Sequence, residues 1–196
     1  WGGAGGARAA AAGGGRGARW REEGAAVRDW QPSRSSQLCV DFLGVSGAGI
    51  SMVTETGNRG VVCATDVISS EIEMLQFTLG EGPCVDAVRD GIPVLIDDVD
   101  ATDLVRDRWP GFMQAATAEG VRAIFAFPLS IGAIRLGSLD LWRNSPGALS
   151  DSELSAALLA ADAASLALLN LNAEGHGFPS ATAARPGYHL TAHHAP

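Results

Sequence analysis

Two long apolar runs, residues 122–130 and 133–143, are separated only by a tight turn at Ile131-Gly132. Parallel strands need a crossover of a dozen or more residues, so a connection this short makes the two runs an antiparallel pair. The rest of the chain has to be arranged around that pair. Pro128 lies within the first run and has no N–H to donate, so it is expected where the ladder can spare a donor, near an edge or a bulge.

Upstream, residues 35–43 read as a short helix. Ala48, Ile50, Met52 and Thr54 then alternate with Gly49, Ser51, Val53 and Glu55 in strand fashion. Thr56, Gly57 and Asn58 supply a turn and 60–66 returns as a second strand, giving an antiparallel hairpin. Ser70 and Glu73 have capping-box spacing, which predicts a helix starting near Ser70. A Gly-Pro break between Gly80 and Pro83 ends that helix and opens another over 83–89, followed by a third strand over 92–98. Residues 100–108 read as a polar connection and 110–119 as a helix.

A last helix, 150–171, opens on a second capping box, Ser150 with Glu153. Leu154, Leu158, Ala161 and Leu168 lie along one line of it, while Leu159, Ala163, Leu166 and Ala167 cover other faces. A helix apolar on several sides calls for two partners: its own sheet and, on this reading, a second subunit, the alternative being that the ends of the same chain fold over this face.

Composition narrows the function. The chain has fourteen Arg and no Lys; residues 1–37 carry a charge of +3 and residues 38–172 a charge of −11. Such an acidic core repels polyphosphate, so direct nucleic-acid binding is not expected. Cys39, Cys63 and Cys84 are odd in number and widely spaced, which indicates neither a disulfide framework nor a zinc motif and fits reduced thiols in a cytoplasmic protein. The most apolar stretch, 154–171, is interrupted by Asp162, Ser165 and Asn170, and no membrane association or export is expected. Residues 38–172 hold no His, since His176, His189, His193 and His194 all fall in the tail; a His-based triad or metal centre in the domain is excluded, and neither catalytic residues nor metal ligands are assigned. Segment 1–32 is low in complexity and reads as disordered, 33–172 as one domain, and 173–196 as an irregular tail broken by Gly and Pro.

The runs LQFTLGEGPCVDAVRDGIPVLIDDV (75–99), RWPGF (108–112), VRAIFAFPLSIGAIRLGSLDLWR (121–143) and PGALSDSEL (146–154) together resemble the GAF domains of actinobacterial GAF-ANTAR transcription antitermination regulators. The resemblance implies an α+β fold: an antiparallel sheet of five or six strands with helices on both faces, a small-molecule pocket, and a homodimer formed through the 150–171 helix. The helical ANTAR module that binds RNA in those regulators has no counterpart in the short tail. The expected role is therefore small-molecule or redox sensing in signal transduction or transcription regulation, by binding rather than turnover, with the ligand and any cofactor unidentified.

Six residues are candidates for ligand binding. Cys84 follows Gly82-Pro83 at a helix start, where free N–H groups and the helix dipole favour a thiolate; the competing reading is a small core residue. The same loop is similar to that of GAF-fold free methionine sulfoxide reductases, which makes thiol-dependent sulfoxide reduction through Cys84 an alternative. Those enzymes use further cysteines near the third strand, where this chain has Ile92, Pro93, Val94 and Leu95. Trp109 and Phe112 flank Pro110-Gly111 and are candidates to lid the pocket, Trp109 the better one, since core packing explains Phe112 equally well; Phe125 and Phe127 share one strand face as a floor for pocket or core; Phe77 completes the set. Asp97, Asp98, Asp100 and Asp103 lack EF-hand spacing and read as a solvated loop. The cyclic-nucleotide signature of some GAF domains needs a Lys and is absent. With only Arg122 or Arg135 near enough for an anion, a neutral or mainly apolar ligand is expected, or none, which would leave an interaction module with a vestigial pocket.

Overall fold

The computed structural model describes residues 32–53 and 59–173. Segment 1–31, the turn at Thr56, Gly57 and Asn58, and the tail from 174 onward lie outside the described residues.

The elements run α1 (Pro32–Leu43), β1 (Gly47–Val53), β2 (Arg59–Ala64), α2 (Val67–Leu79), α3 (Pro83–Asp90), β3 (Val94–Ile96), α4 (Asp103–Arg108), α5 (Pro110–Ala118), β4 (Ala123–Ile131), β5 (Ile134–Arg143) and α6 (Asp151–Ala173). The five strands form one sheet in the order β2-β1-β5-β4-β3, antiparallel at every pairing. The expected α+β architecture is therefore present, with five strands among the described residues.

The short connection between β4 and β5 brings Ile131 opposite Ile134. β3 covers β4 only from Ile124 to Ala126, so Pro128 lies beyond its reach and one residue before the register shift at Leu129/Ser130. The missing N–H falls where no strand on that side asks for it.

Strand alternation sends β-residues to two separate cores. On one face Ile124, Ala126 and Trp142 join Ile72, Cys84, Ala87, Phe112, Met113 and Ala116 from α2, α3 and α5. α2 lies over β1 and β2, and α3 over β4 and β5. On the other face α1 packs on β1 and β2, and α6 on β4 and β5, over the alternate residues Ile50, Phe125, Phe127, Leu139 and Leu141, all essentially buried. Arg143 pins this layer: its Nη2 donates to Leu43 O at 3.0 Å and to Glu153 Oε1 at 2.7 Å, and its guanidinium lies 5.7 Å from the Phe125 ring centre.

Four local expectations are corrected. α2 begins at Val67, because Asp66 accepts from Ser69 N at 2.8 Å and caps the helix one turn before Ser70. β3 is shorter than 92–98, since Pro93 has no N–H for a ladder and Ile92 is exposed. Within the polar connection, 103–108 is helical, with Asp103 at its start and Arg106 and Arg108 at its end in the sense that suits the helix dipole. Finally, of the line Leu154, Leu158, Ala161 and Leu168 on α6, only Ala161 and Leu168 are buried. Ala157, Ala161, Ala164, Ser165, Ala167 and Leu168 face the sheet, while Leu158, Leu159 and Leu166 point outward. Small side chains let the helix approach the strands closely, and Ser165 Oγ accepts from Ser130 N at 3.0 Å where β4 shifts register. Over Asp151–Asn170 this helix is long and apolar enough, by composition, to cross a membrane, yet its buried stripe packs it as a core helix of the sheet.

The second capping box is present in reciprocal form. Ser150 N donates to Glu153 Oε2 at 2.7 Å and Glu153 N to Ser150 Oγ at 3.3 Å.

The closest approach in the sheet is at Gly137, where an added Cβ would lie 1.9 Å from Ser51 O, a backbone atom that cannot swing aside. Gly137→Ala is expected to force β1 away from β5 and to lower stability by about 1–3 kcal/mol or more. Urea unfolding followed by circular dichroism measures this, with Gly60→Ala, which meets no atom within 4 Å, as the mild control.

Candidate functional site

α2 inverts the usual helix pattern. Its buried residues are Ser69, Ile72, Glu73 and Gln76, while Val67, Met74 and Leu79 are exposed. The polar side chains reach inward at the seam between β1 and β5, where the register sets Gly49 opposite Asp140 and Ser51 opposite Ser138. Gly49 makes this possible: a Cβ there would stand 2.5 Å from Glu73 Oε1.

The GEGPC loop supplies the other wall. Gly80 ends α2 in the left-handed conformation, and Gly82, at φ 135°, leaves room that a side chain would take from Gln76. Pro83 occupies the first turn of α3 and has no N–H, so the first N–H of the helix start is that of Cys84, which donates to Gln76 Oε1 at 2.8 Å. Glu81 reaches across to accept from Phe112 N at 2.9 Å and thereby satisfies the start of α5.

The result is a cluster buried from water. Gln76 Nε2 donates to Asp140 Oδ2 at 3.3 Å, and Ser138 Oγ donates to Asp140 Oδ1 at 2.6 Å. The Cys84 thiol and Glu73 are also hydrogen-bond partners of Asp140. One ligating atom from each of Glu73, Cys84 and Asp140 lies within 4.8 Å of the other two. Burial pushes both carboxyls upward, Glu73 well above the usual glutamate range because the Asp140 charge also faces it. Glu73 therefore holds a proton and Asp140 serves as its acceptor, the arrangement expected when two acids meet out of water. Glu73 Oε2 is buried with no hydrogen-bond partner.

Of the six expected binding residues, the structure brings four to one side of the sheet. Cys84, Trp109 and Phe112 are buried in a common core and the half-buried Phe77 packs against it. Phe125 and Phe127 lie on the opposite face, beneath α1 and α6, and do not line a site with Cys84. Trp109 and Phe112 are core residues rather than a lid. Trp109 Nε1 donates to Asp86 Oδ2 at 3.1 Å, and Arg108, paired with Asp86 at 2.7 Å, stacks 4.5 Å above the indole. The acidic stretch is tied up locally, with Asp100 paired to Arg106 and, at 3.4 Å, to Arg122. Cys84 is buried, as the core-residue reading has it, and its surroundings combine that apolar cluster with the acids Glu73 and Asp140. Cys39 and Cys63 are associated with α1 instead: Cys63 Sγ lies 3.1 Å from Ser36 Oγ, and burial with the neighbouring Cys63 raises the Cys39 thiol to about 11.

Glu73, Gln76, Ser138 and Asp140 escaped the sequence reading. Asp140 carried a signal, being a lone acid in the strand LGSLDLW, on the same parity as Ser138 and Trp142. Glu73 was masked by its capping-box spacing from Ser70.

A sheet in this order, screened by α2, α3 and α5 on one face and by the terminal helices on the other, with a cysteine in the first turn of α3 packed over it, can be set against known proteins. Residues 35–169 match the family described as GAF domain. The chain belongs to the GAF domain family. Solved structures agree on the fold. The GAF domain of an Acinetobacter phosphoenolpyruvate-protein phosphotransferase superposes with a TM-score of 0.60 at 12% identity, over 80% of this chain and 94% of that one. For the GAF-B domain of DevS from Mycobacterium smegmatis the values are 0.53 and 15%, over 78% and 97%. For a type II free methionine-R-sulfoxide reductase from Thermoplasma acidophilum they are 0.53 and 16%, over 74% and 96%. No curated protein matches the sequence. GAF domains are typical of sensing and regulatory modules.

The buried acid pair gives a test of the geometry. A folded-state value raised above the unfolded one means that Glu73 favours folding most below the ordinary glutamate range and progressively less as pH rises. With chelator present, Glu73→Gln is expected to stabilise the domain at pH 8, where folding of the wild type must take up a proton that Gln does not need, and this advantage should shrink toward pH 4.5, at roughly the unperturbed glutamate value. Chemical denaturation of both proteins across that range measures the difference.

Proposed function

We propose that this GAF domain is a dimeric regulatory sensor in signal transduction or transcription control, of the kind found in actinobacterial GAF-ANTAR regulators. Its input is a small molecule or redox state read at the Glu73, Gln76, Cys84 and Asp140 cluster. The observation that carries this reading is the cluster itself. Burying two carboxylates and a thiol where apolar residues would pack costs stability, and such costs concentrate at functional sites. The elements around it, α2 and α3, rest on the strands whose other face holds α1 and α6, so a shift at the seam has a short route to the terminal helices.

Output through a second copy of this chain is supported by the outer surfaces of those helices. Phe42 is 79% exposed on α1 and Leu159 69% exposed on α6, with Leu38, Leu158 and Leu166 also outward, and the two helices touch. These apolar side chains surround the exposed Asp41 and Asp162, and a two-fold axis would set the same patch against itself. The second reading, thiol-dependent reduction of a small sulfoxide, has in its favour the hydrogen-bonded thiol of Cys84 beside two acids. Against it, Cys39 and Cys63 belong to the α1 side and offer no nearby resolving thiol.

A thermal-shift screen of small metabolites and oxidants should find at least one compound that raises the melting temperature of the wild type and acts less on Glu73→Gln; a library that shifts neither protein would remove the sensing reading. Turnover of a sulfoxide with a thiol reductant, abolished by Cys84→Ser, would replace it with the enzymatic one. In light scattering the wild type is expected at twice the chain mass and Leu159→Glu at the chain mass with unchanged circular dichroism.

A further inference from the structure

We propose that Glu73, Cys84 and Asp140 form a binding site for a divalent transition-metal ion of the zinc class. This inference deepens the sensing reading, and rests on it for its biological meaning, by naming the ligand class of the same cluster.

The donors come from three elements, α2, α3 and β5, and each residue is at most 3% exposed. Their ligating atoms already lie within 4.8 Å of one another. In a tetrahedral zinc site, bonds of about 2.0–2.3 Å set donors roughly 3.4–3.8 Å apart, so capture requires a contraction of about 1 Å. That is within the reach of side-chain rotation in Glu73, whose Oε2 is buried and unpartnered. One buried oxygen of Glu73 is left without a partner beside Cys84 and Asp140, and that gap in the polar network points to a cation, whose capture would release the Glu73 and Cys84 protons to solvent.

The donor set selects the ion. One sulfur with two carboxylates suits a borderline-soft cation, whereas calcium and magnesium ask for more ligands, all of them oxygen. Among the described residues, the main groups acting on Glu73 and Asp140 are each other, the hydroxyls of Ser51 and Ser138, the amide of Gln76 and the thiols of Cys63 and Cys84, none of them a cation. Ser138 and Gln76 hold Asp140 from both sides, the outer support that metal-binding carboxylates usually carry. Three protein donors leave a fourth position to water or to a small anion, through which the ion itself can report on its surroundings.

The test uses the full 196-residue chain with His176, His189, His193 and His194 changed to Gln, so that the tail cannot contribute. Reduced, chelator-stripped protein is titrated with cobalt(II) alone, then with zinc(II). One equivalent of cobalt should bind with a sulfur-to-cobalt charge-transfer absorption that zinc displaces. Cys84→Ser should abolish the band, and Glu73→Gln should weaken binding at least tenfold. Glu73→Gln is close in shape and is expected to fold at least as well as the wild type, so it decides the matter even if Cys84→Ser does not fold. No charge-transfer band at millimolar cobalt, a band that survives in folded Cys84→Ser, or unchanged affinity in Glu73→Gln each overturns the inference. A metabolite shift that depends on Glu73 without any cobalt binding leaves the sensing reading standing and removes only the metal.

Discussion

Two carboxylates are held out of water at the seam between β1 and β5, and much of the local design is what makes that tolerable. Desolvating an acid costs several kcal/mol unless its charge is removed or matched. Here Glu73 keeps its proton, Asp140 accepts it, and Ser138, Gln76 and Cys84 surround Asp140 with donors. Gly49 and Gly82 are the counterpart in the backbone, since a methyl group at either would collide with Glu73 or Gln76. The same constraint turns α2 inside out, with its polar face inward and Met74 in solvent.

The two faces of the sheet consequently have different characters. The α2, α3 and α5 side combines a greasy cluster around Phe112 and Trp109 with a polar interior and further buried hydrogen bonds, such as Trp142 Nε1 to Ser69 Oγ at 2.9 Å. The α1 and α6 side is almost wholly apolar within, and on its outer surface Phe42, Leu158, Leu159 and Leu166 stand exposed beside Asp41 and Asp162. Arg143 links this side to the central strands, binding the end of α1 and the cap of α6 while itself belonging to β5. A signal received on the polar face and a partner received on the apolar one would be joined through β1 and β5.

How much of this was legible in the chain depended on whether the information was local. The β4 and β5 pair, the first hairpin, the Gly-Pro start of α3 and the Ser150 cap are written in short-range chemistry, and each is present. Phe125 and Phe127 were correctly placed on one strand face, but which helices cover that face is a property of the assembled layers. Asp66 outcompeted Ser70 as a cap because a carboxylate one turn earlier already satisfied the helix start. Glu73, released from that duty, became a buried acid.

The sequence by itself determined an acidic, histidine-free α+β domain of antiparallel strands, with a cysteine at a helix start and an apolar last helix, because periodicity, turn chemistry and composition act over a few residues at a time. Only the tertiary structure decided that Glu73, Cys84 and Asp140 meet, since they are separated in sequence and converge through strand register and helix rotation. It also decided that α6 turns mostly alanines, with Leu168, to the sheet and Leu158, Leu159 and Leu166 outward. Burial depends on what lies across the interface, and that is a fact about the folded molecule rather than about any segment of its chain.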